Sequence, residues 1–429
     1  MRSGELILYR NFKRYDILDC FSKIDCFMTG EDTVSEDEAK KLLTEAVASL
    51  IELASSHGYS GNLWQSYLTY LLANNENSYS KACEIKGVIS GSINEAALHD
   101  MQIFMDLFHY DIEEVLCKLG FTNYKFILSY TNPDGAGYVF NKRVRDRICE
   151  LAVKLNEVGS ADEFKDMVTQ FYKEFGVGKF GLHKAFRIVH ENSLDIVPIP
   201  NIAHVYLDDL IGYDIQKAKL IENTEAFIAG KPCNNCLLFG DAGTGKSSSI
   251  KGILNKYYDQ GLRIIEVYKH QFKDLNGVID QIKSRNYRFI IYMDDLSFEE
   301  FEVEYKYLKA VIEGGLEKKP DNVLIYATSN RRHLVKESFS DRNDYDDEVH
   351  SSDTMQEKTS LYSRFGVTIY FPSPEKKEFN NIVAELAKRY ELTMPYDELI
   401  LEANKWELSH GGLSGRTASQ FIDYIRGTK

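Results

Sequence analysis

The sequence predicts an α/β protein whose parallel sheet is covered by helices, with an all-α region before it and a short helical region after it. Three observations predict this fold class. Apolar residues recur at helical spacing through about the first 190 positions. From position 210 short apolar segments alternate with helical ones, the pattern of a parallel sheet covered on both faces. From Pro374 to the end the pattern is helical again.

These patterns divide the chain into four parts. A chain of 429 residues is too long for a single core. We expect a helical domain at 1–190, a linker at 191–209, an α/β core at 210–372 and a helical lid at 373–429. The linker prediction depends on the stretch 197–209, which holds two of the eight prolines and is expected to be extended.

Capping residues and periodicity predict the individual elements. One helix should begin after Ser35, which forms a capping-box pattern with Glu38, and should end at Gly58. Helices are also expected at 94–118, 144–155 and 163–175. The strand candidates are Cys236–Phe239, Arg263–Tyr268, Phe289–Met293, Val323–Ala327 and Val367–Phe371.

Composition narrows the class of protein. The formal net charge of −14 disfavours sequence-independent nucleic-acid binding, because phosphates would be repelled, although a local basic groove is not excluded. The seven scattered cysteines are typical of reduced thiols in a cytosol, and we interpret Cys233-x-x-Cys236 as incidental rather than as a metal or redox site. No run approaches about 18 apolar residues and no secretory signal is recognisable. We therefore expect a cytoplasmic protein without a membrane span.

The strongest motif is GDAGTGKS, which matches the phosphate-binding pattern G-x-x-x-x-G-K-[ST] at every fixed position. An apolar strand precedes it and a helical pattern follows. Its glycines let backbone N–H groups face phosphate oxygens, and the helix adds its positive end. We expect Lys246 to bind the β- and γ-phosphates, and to face solvent in the empty state, while Ser247 binds Mg²⁺. The loop residues expected to bind nucleotide are Gly240, Asp241, Ala242, Gly243, Thr244, Gly245, Lys246, Ser247 and Ser248.

A second motif, FIIYMDDL, is an apolar strand that ends in two carboxylates. The first, Asp294, is expected near the phosphates, where it would hold Mg²⁺ directly or through water. The second, Asp295, is expected to activate the attacking water. The nearby Glu299 and Glu300 fit an exposed helix start better than a catalytic role.

Three further residues complete the predicted site. Asn330 follows the strand 323–327 and can orient the attacking water, whereas at least one of Arg331 and Arg332 should be a surface charge. Arg364 precedes the last strand, where a guanidinium can stabilise charge in the transition state. Arg416 opens the last helix, after Ser414 as its N-cap.

In this order the motifs resemble those of AAA-type P-loop ATPases. More narrowly, residues 176–429 are similar to a family of uncharacterised bacterial AAA-type ATP-binding proteins known as a domain of unknown function. The stretches that carry the resemblance are YLDDLIGYDIQKAKLIENTEAFIAGKP, LLFGDAGTGKSSSIK, FIIYMDDLSFE, YKYLKAVIEGGLEKKPDNVLIYATSNRRHLV, SRFGVTIYF and GLSGRTASQFIDYI, with a weaker match at GKFGLHKAFRI.

The resemblance assigns roles to the residues that match. It implies ATP and Mg²⁺ as cofactors, Asn330 as sensor 1 and Arg416 as sensor 2, and Arg364 as an arginine finger that acts on a neighbouring subunit's ATP. Ile211 and Gly212 fall where such proteins place the adenine-side wall. One departure is Asp instead of the commoner Glu at position 295, which makes strong hydrolysis less certain, although helicase loaders of this class also carry Asp-Asp.

The resulting prediction is an AAA-type ATPase that hydrolyses MgATP between subunits of a homo-oligomeric ring or partial ring and acts on an unknown protein client. One alternative is a nucleotide-gated binding module with little hydrolysis, whose N-terminal domain docks a partner. Another is a helicase-loader-like replication factor, which the acidic charge disfavours. The polar stretch 336–358 is expected to be a solvated loop or, alternatively, an element that orders on binding.

Overall fold

The computed structural model describes residues 1–30, 34–132, 141–190, 193–299, 302, 304–313, 320–331, 334 and 361–428. The described chain divides into two compact units, Met1–His183 and Lys184–Lys429. The stretch 336–358, predicted as a loop, lies outside the described residues. Among the described helices, none is long and apolar enough to cross a membrane.

The first unit is built of helices around an apolar core that includes Trp64, Phe104 and Phe164. One of the two hydrogen bonds of the predicted capping box is present, because the Ser35 hydroxyl accepts from the Glu38 N–H at 3.3 Å. The helices are α1 (Tyr15–Met28), α2 (Glu36–His57), α3 (Leu63–Asn74), α4 (Ser78–Lys86), α5 (Ile93–Phe108), α6 (Ile112–Lys118), α7 (Lys142–Asn156), α8 (Ala161–Phe175) and α9 (Gly178–Leu182).

One helix prediction in this unit is wrong in extent. The stretch 94–118 forms two helices, α5 and α6, instead of one. The Asp111 carboxylate accepts the Glu114 N–H at 2.9 Å, which caps a new helix. A capping aspartate inside the apolar periodic run therefore marks the start of the second helix.

The second unit contains a seven-stranded sheet in the order β2-β1-β4-β5-β6-β3-β7. Only the β1–β2 pair is antiparallel among these neighbours. All five predicted strands are present, with ends that differ from the prediction by at most two residues. The strands are β1 (Ala185–His190), β2 (Leu194–Pro198), β3 (Cys236–Gly240), β4 (Leu262–Glu266), β5 (Arg288–Met293), β6 (Val323–Ser329) and β7 (Val367–Phe371).

The stretch 191–209, expected to be a linker, instead contributes β2 to the sheet. Together with β1 it extends the sheet beyond β4, and Phe186 and Ile196 are fully buried there. Polar residues interrupt both strands and Pro198 ends β2, so their apolar pattern is weak. Proline is tolerated because β2 is an edge strand.

Helices complete the second unit. Residues of α10 and α11 pack with buried residues of the central strands in one apolar cluster. Three helices after the sheet form a cluster of their own around Phe379, Val383 and Phe421, and Ile211 packs against it. We call these three helices the lid. The helices of the unit are α10 (Asp214–Ile228), α11 (Lys246–Tyr257), α12 (Leu275–Ile282), α13 (Glu304–Glu313) and the lid helices α14 (Lys376–Arg389), α15 (Tyr396–Ser409) and α16 (Gly415–Thr428).

The place of β1 and β2 in the sheet predicts how truncation affects stability. A fragment 184–429 should unfold cooperatively, whereas a fragment 210–429 should melt roughly 10 °C lower or aggregate. The shorter fragment loses the buried Phe186, Ile188 and Ile196, each worth about 1.5–3 kcal/mol, and exposes the edge of β4. Thermal unfolding followed by circular dichroism measures the difference. Equal melting temperatures would contradict a structural role for β1 and β2.

Candidate functional site

The phosphate-binding motif forms a loop between β3 and α11 that requires glycine at two points. Gly240 has φ of 135°, and a Cβ there would overlap the Phe371 carbonyl oxygen of the neighbouring strand. Gly243 has φ of 76°, and a Cβ there would come within 2.9 Å of the Arg416 side chain. The loop therefore touches both the sheet and the lid, and a larger residue at either position would displace it.

The loop borders an open cavity of about 620 Å³ within the second unit. Helix α11 begins at Lys246, so N–H groups of its first turn lack helical partners at the end near this cavity. The cavity is lined by Asp209, Leu210, Ile211, Tyr213, Ala242, Gly243, Thr244, Gly245, Lys246, Ser247, Ser248, Asp294, Asp295, Thr328, Asn330, Ile382, Leu386, Gly415, Arg416 and Ser419.

The expectation that Lys246 faces solvent in the empty state is wrong, because this lysine is only 6% exposed. Its amine donates to the carbonyl oxygens of Gly240 at 2.8 Å and Asp241 at 2.6 Å, and to Asn330 Oδ1 at 3.0 Å. Burial lowers the pKa of the amine, although neighbouring carboxylates oppose that shift. A phosphate would therefore replace protein acceptors around Lys246 as well as water.

Three hydroxyl groups converge on one oxygen of Asp294. Oδ1 accepts from Ser247 Oγ at 2.7 Å, Tyr292 Oη at 2.6 Å and Thr328 Oγ1 at 2.6 Å. Partial burial alone would raise the pKa of this carboxyl, but the three hydrogen bonds outweigh it and hold the pKa below its ordinary value. Asp294 is therefore a carboxylate at neutral pH.

Asp295 occupies an unusual backbone conformation. Its φ is 50°, a region that Asp and Asn tolerate better than other side chains with a Cβ. Its N–H donates to Thr328 Oγ1 at 3.0 Å, and its Oδ1 accepts from Asn330 Nδ2 at 2.7 Å. The backbone here gives a physical reason for Asp rather than the longer Glu at this position. Asn330 therefore connects Asp295 to Lys246.

The Ser247 hydroxyl and the Asp294 carboxylate fit the ligand chemistry of Mg²⁺. They are hard oxygen donors, they lie 2.7 Å apart, and both line the cavity beside the loop. Magnesium is usually held by one or two carboxylates together with substrate phosphates. The arrangement suits an ion that arrives with a nucleotide.

The lid contacts the loop directly. The Arg416 N–H donates to the Gly243 carbonyl at 3.2 Å, and Ser414 caps α16 by accepting the Thr417 N–H at 3.1 Å, as the sequence indicates. Asp241 Oδ2 accepts the Ser373 N–H at 2.9 Å, just before the lid. Arg416 also lines the cavity.

The two residues expected to form the adenine-side wall differ in their relation to the cavity. Ile211 lines the cavity, whereas Gly212 is absent from the lining and has φ of 80° in the turn before α10. The adjacent Leu210 and Tyr213 contribute instead. Tyr213 is fixed by a hydrogen bond from its hydroxyl to the Pro372 carbonyl at 2.9 Å.

Arg364 does not line this cavity. It forms an ion pair with Glu313 at the end of α13. Glu299 lies outside the cavity lining, and Arg331 is exposed. Glu300 and Arg332 lie outside the described residues. The structure therefore brings together the loop, Asp294, Asp295, Asn330 and Arg416, and leaves Arg364 apart.

Sequence reasoning missed the hydroxyl groups of Tyr292 and Thr328. The signal was present, because residues two apart on a strand share a face. Tyr292 precedes Asp294 by two positions, and Thr328 precedes Asn330 by two. Because both strands were interpreted as apolar, the hydroxyl groups of these two residues were not considered.

Comparison with known families gives one match that covers more than half of the chain. A family model described as "Protein of unknown function (DUF815)" matches residues 181–429. That range contains every residue of the cavity lining.

Similarity to individual proteins is more distant. The chaperone protein ClpB of Mycoplasma pneumoniae is 27% identical over 108 residues, which cover 21% of this chain and 14% of ClpB. The RuvB Holliday junction branch migration motor of Thermotoga maritima is 16% identical, with a TM-score of 0.37, over 52% of this chain and 64% of RuvB. A mutant of that motor gives 14% identity, a TM-score of 0.32, and coverage of 52% and 72%. The chain thus spans about a seventh of ClpB and less than two thirds of RuvB.

Proposed function

The chain belongs to the DUF815 family of proteins of unknown function, and from that premise we propose that it is an AAA-type ATPase that binds and hydrolyses MgATP to remodel or load a protein partner. One observation carries the proposal. The loop lysine, a serine–carboxylate pair, a second carboxylate hydrogen-bonded to an asparagine, and a lid arginine all line the same cavity. Each group has a separate task in phosphoryl transfer to water.

The residues divide these tasks by their chemistry. Lys246 and Arg416 supply positive charge for the phosphates, and the loop N–H groups bind their oxygens. Ser247 and Asp294 would hold Mg²⁺, which neutralises charge on the phosphates when bound. Asp295 accepts a proton from the attacking water, and Asn330 orients both Asp295 and that water.

A nucleotide-gated binding module is the second candidate, and one observation favours it. Asp295 Oδ1 already accepts from Asn330, which leaves fewer acceptor sites on this short side chain for a water. Such a protein would bind ATP, change its lid contacts and hydrolyse slowly. Measurement of steady-state turnover separates the two candidates.

The proposed partner is a protein, and the proposed assembly is a cytoplasmic homo-oligomeric ring or partial ring. The net charge of −14 supports a protein client over nucleic acid. Similarity to a chaperone over 108 residues supports the same choice. A helicase-loader role would require DNA binding that weakens steeply with salt.

Substitution of the proposed base tests hydrolysis. Asp295→Asn should lower turnover about 100-fold or more while ATP affinity stays within about twofold, because a proton acceptor is lost but no phosphate ligand. Asn also tolerates the φ of 50° at this position. Phosphate release and nucleotide titration are the measurements. Glu299→Gln is the control and should hydrolyse normally. Parental turnover in Asp295→Asn would make Glu299 or Glu300 the better base.

Substitution of Arg364 tests whether ATP sites are shared between neighbouring subunits. If it acts on a neighbour's ATP, Arg364→Ala should bind ATP normally and hydrolyse at least about tenfold more slowly. Specific activity of the parental protein should rise with its concentration. Mixing Arg364→Ala with Lys246→Ala should restore some activity, because one neighbour offers an intact loop and the other an intact arginine.

The matched control is Glu313→Ala, which removes the ion-pair partner but keeps the guanidinium. Activity in this variant should persist if Arg364 acts in trans. A purely structural ion pair would give the opposite pattern, in which both variants lose thermal stability equally and mixing restores nothing.

A further inference from the structure

The three hydroxyl groups on Asp294 are not equivalent. A carboxylate oxygen offers about two lone-pair directions, so three donors on Oδ1 crowd it. Tyr292 and Thr328 lie on buried strands and are 4% and 1% exposed. Ser247 lies instead in the first turn of α11 and is only half-buried. Ser247 is therefore the donor that can leave most easily.

The hydroxyl groups of Tyr292 and Thr328 are expected to keep their hydrogen bonds to Asp294. Burial makes an unpaired hydroxyl costly, so both hydroxyls favour a position of Asp294 in which a carboxylate oxygen accepts from them. Thr328 Oγ1 accepts the Asp295 N–H and donates its one hydrogen to Asp294, so it makes two hydrogen bonds that hold it in place. Both donors approach Oδ1, which leaves Oδ2 as the oxygen that they do not occupy.

We propose that Tyr292 and Thr328 are positioning residues for magnesium, which fix Oδ1 of Asp294 so that its other oxygen is available to the ion. This inference rests on the proposed function, because it assigns Asp294 to Mg²⁺. Ser247 would hold Mg²⁺ through an oxygen lone pair, while the two strand hydroxyls would keep their hydrogen bonds to Asp294. The strands would thus preserve the carboxylate geometry when the ion binds.

Tyr292→Phe is the clean test because it removes one oxygen and leaves the ring. Thr328→Val removes the second donor, and Thr328→Ser restores a hydroxyl at the same place. The matched control is Tyr326→Phe. Tyr326 pairs with Tyr292 across β5 and β6, but its hydroxyl bonds to Asn223 and Thr224, away from Asp294.

The measurement is ATP binding by the full chain, titrated over Mg²⁺ concentration and repeated in excess chelator. Tyr292→Phe and Thr328→Val should raise the Mg²⁺ concentration for half-saturation about tenfold, with unchanged ATP affinity in chelator. Thr328→Ser should match the parental protein. Tyr326→Phe should lower the melting temperature yet keep the parental Mg²⁺ dependence.

Failure of the proposed function and failure of this inference would give different results. If the parental protein binds ATP without any response to Mg²⁺, the proposed function is wrong at the metal and this inference falls with it. If the parental protein responds to Mg²⁺ and Tyr292→Phe responds identically, only the inference is overturned. An equal shift in Tyr326→Phe would also overturn it, because loss of stability would then explain the effect.

Discussion

The site depends on the parallel pairing of β5, β6 and β3. Met293 lies opposite Ala327, which in turn lies opposite Leu237, so the three strands end at one edge of the sheet. The residues just beyond those ends, Asp294 and Asn330, consequently meet the phosphate-binding loop. A shift of one residue in β5 would move Tyr292 and Asp294 together to the opposite face and separate Asp294 from Thr328 and Ser247. The register of these strands therefore determines which polar side chains meet at the site.

The phosphate-binding loop also contacts the lid and the residues just before it. Gly243 contacts Arg416, and Asp241 accepts the N–H of Ser373 at 2.9 Å. A phosphate bound in the loop would therefore touch the same short stretch of chain that holds the lid. This gives the second unit a direct physical route from nucleotide occupancy to lid position.

Much of the second unit could be predicted from sequence because strong local patterns specify it. The spacing of Gly240, Gly245 and Lys246 and the acidic end of β5 each reflect a backbone or charge requirement of phosphate binding. The strands β1 and β2 were missed because polar residues interrupt the apolar pattern of both. The burial of Lys246 was missed because no sequence pattern shows that the loop's own carbonyls will accept its hydrogen bonds. These hydrogen bonds depend on the exact backbone conformation of the loop, which the spacing of its residues does not specify.

The central claim is that this cavity binds MgATP through Lys246. Calorimetric titration of ATP with Mg²⁺ into the full chain tests it most directly, with Lys246→Ala and the exposed Lys256→Ala compared in parallel. We expect one site per chain, kept in Lys256→Ala and weakened about 10- to 100-fold in Lys246→Ala, because a charge-assisted contact to phosphate is lost. Equal affinity in Lys246→Ala and the parental protein would contradict binding through Lys246.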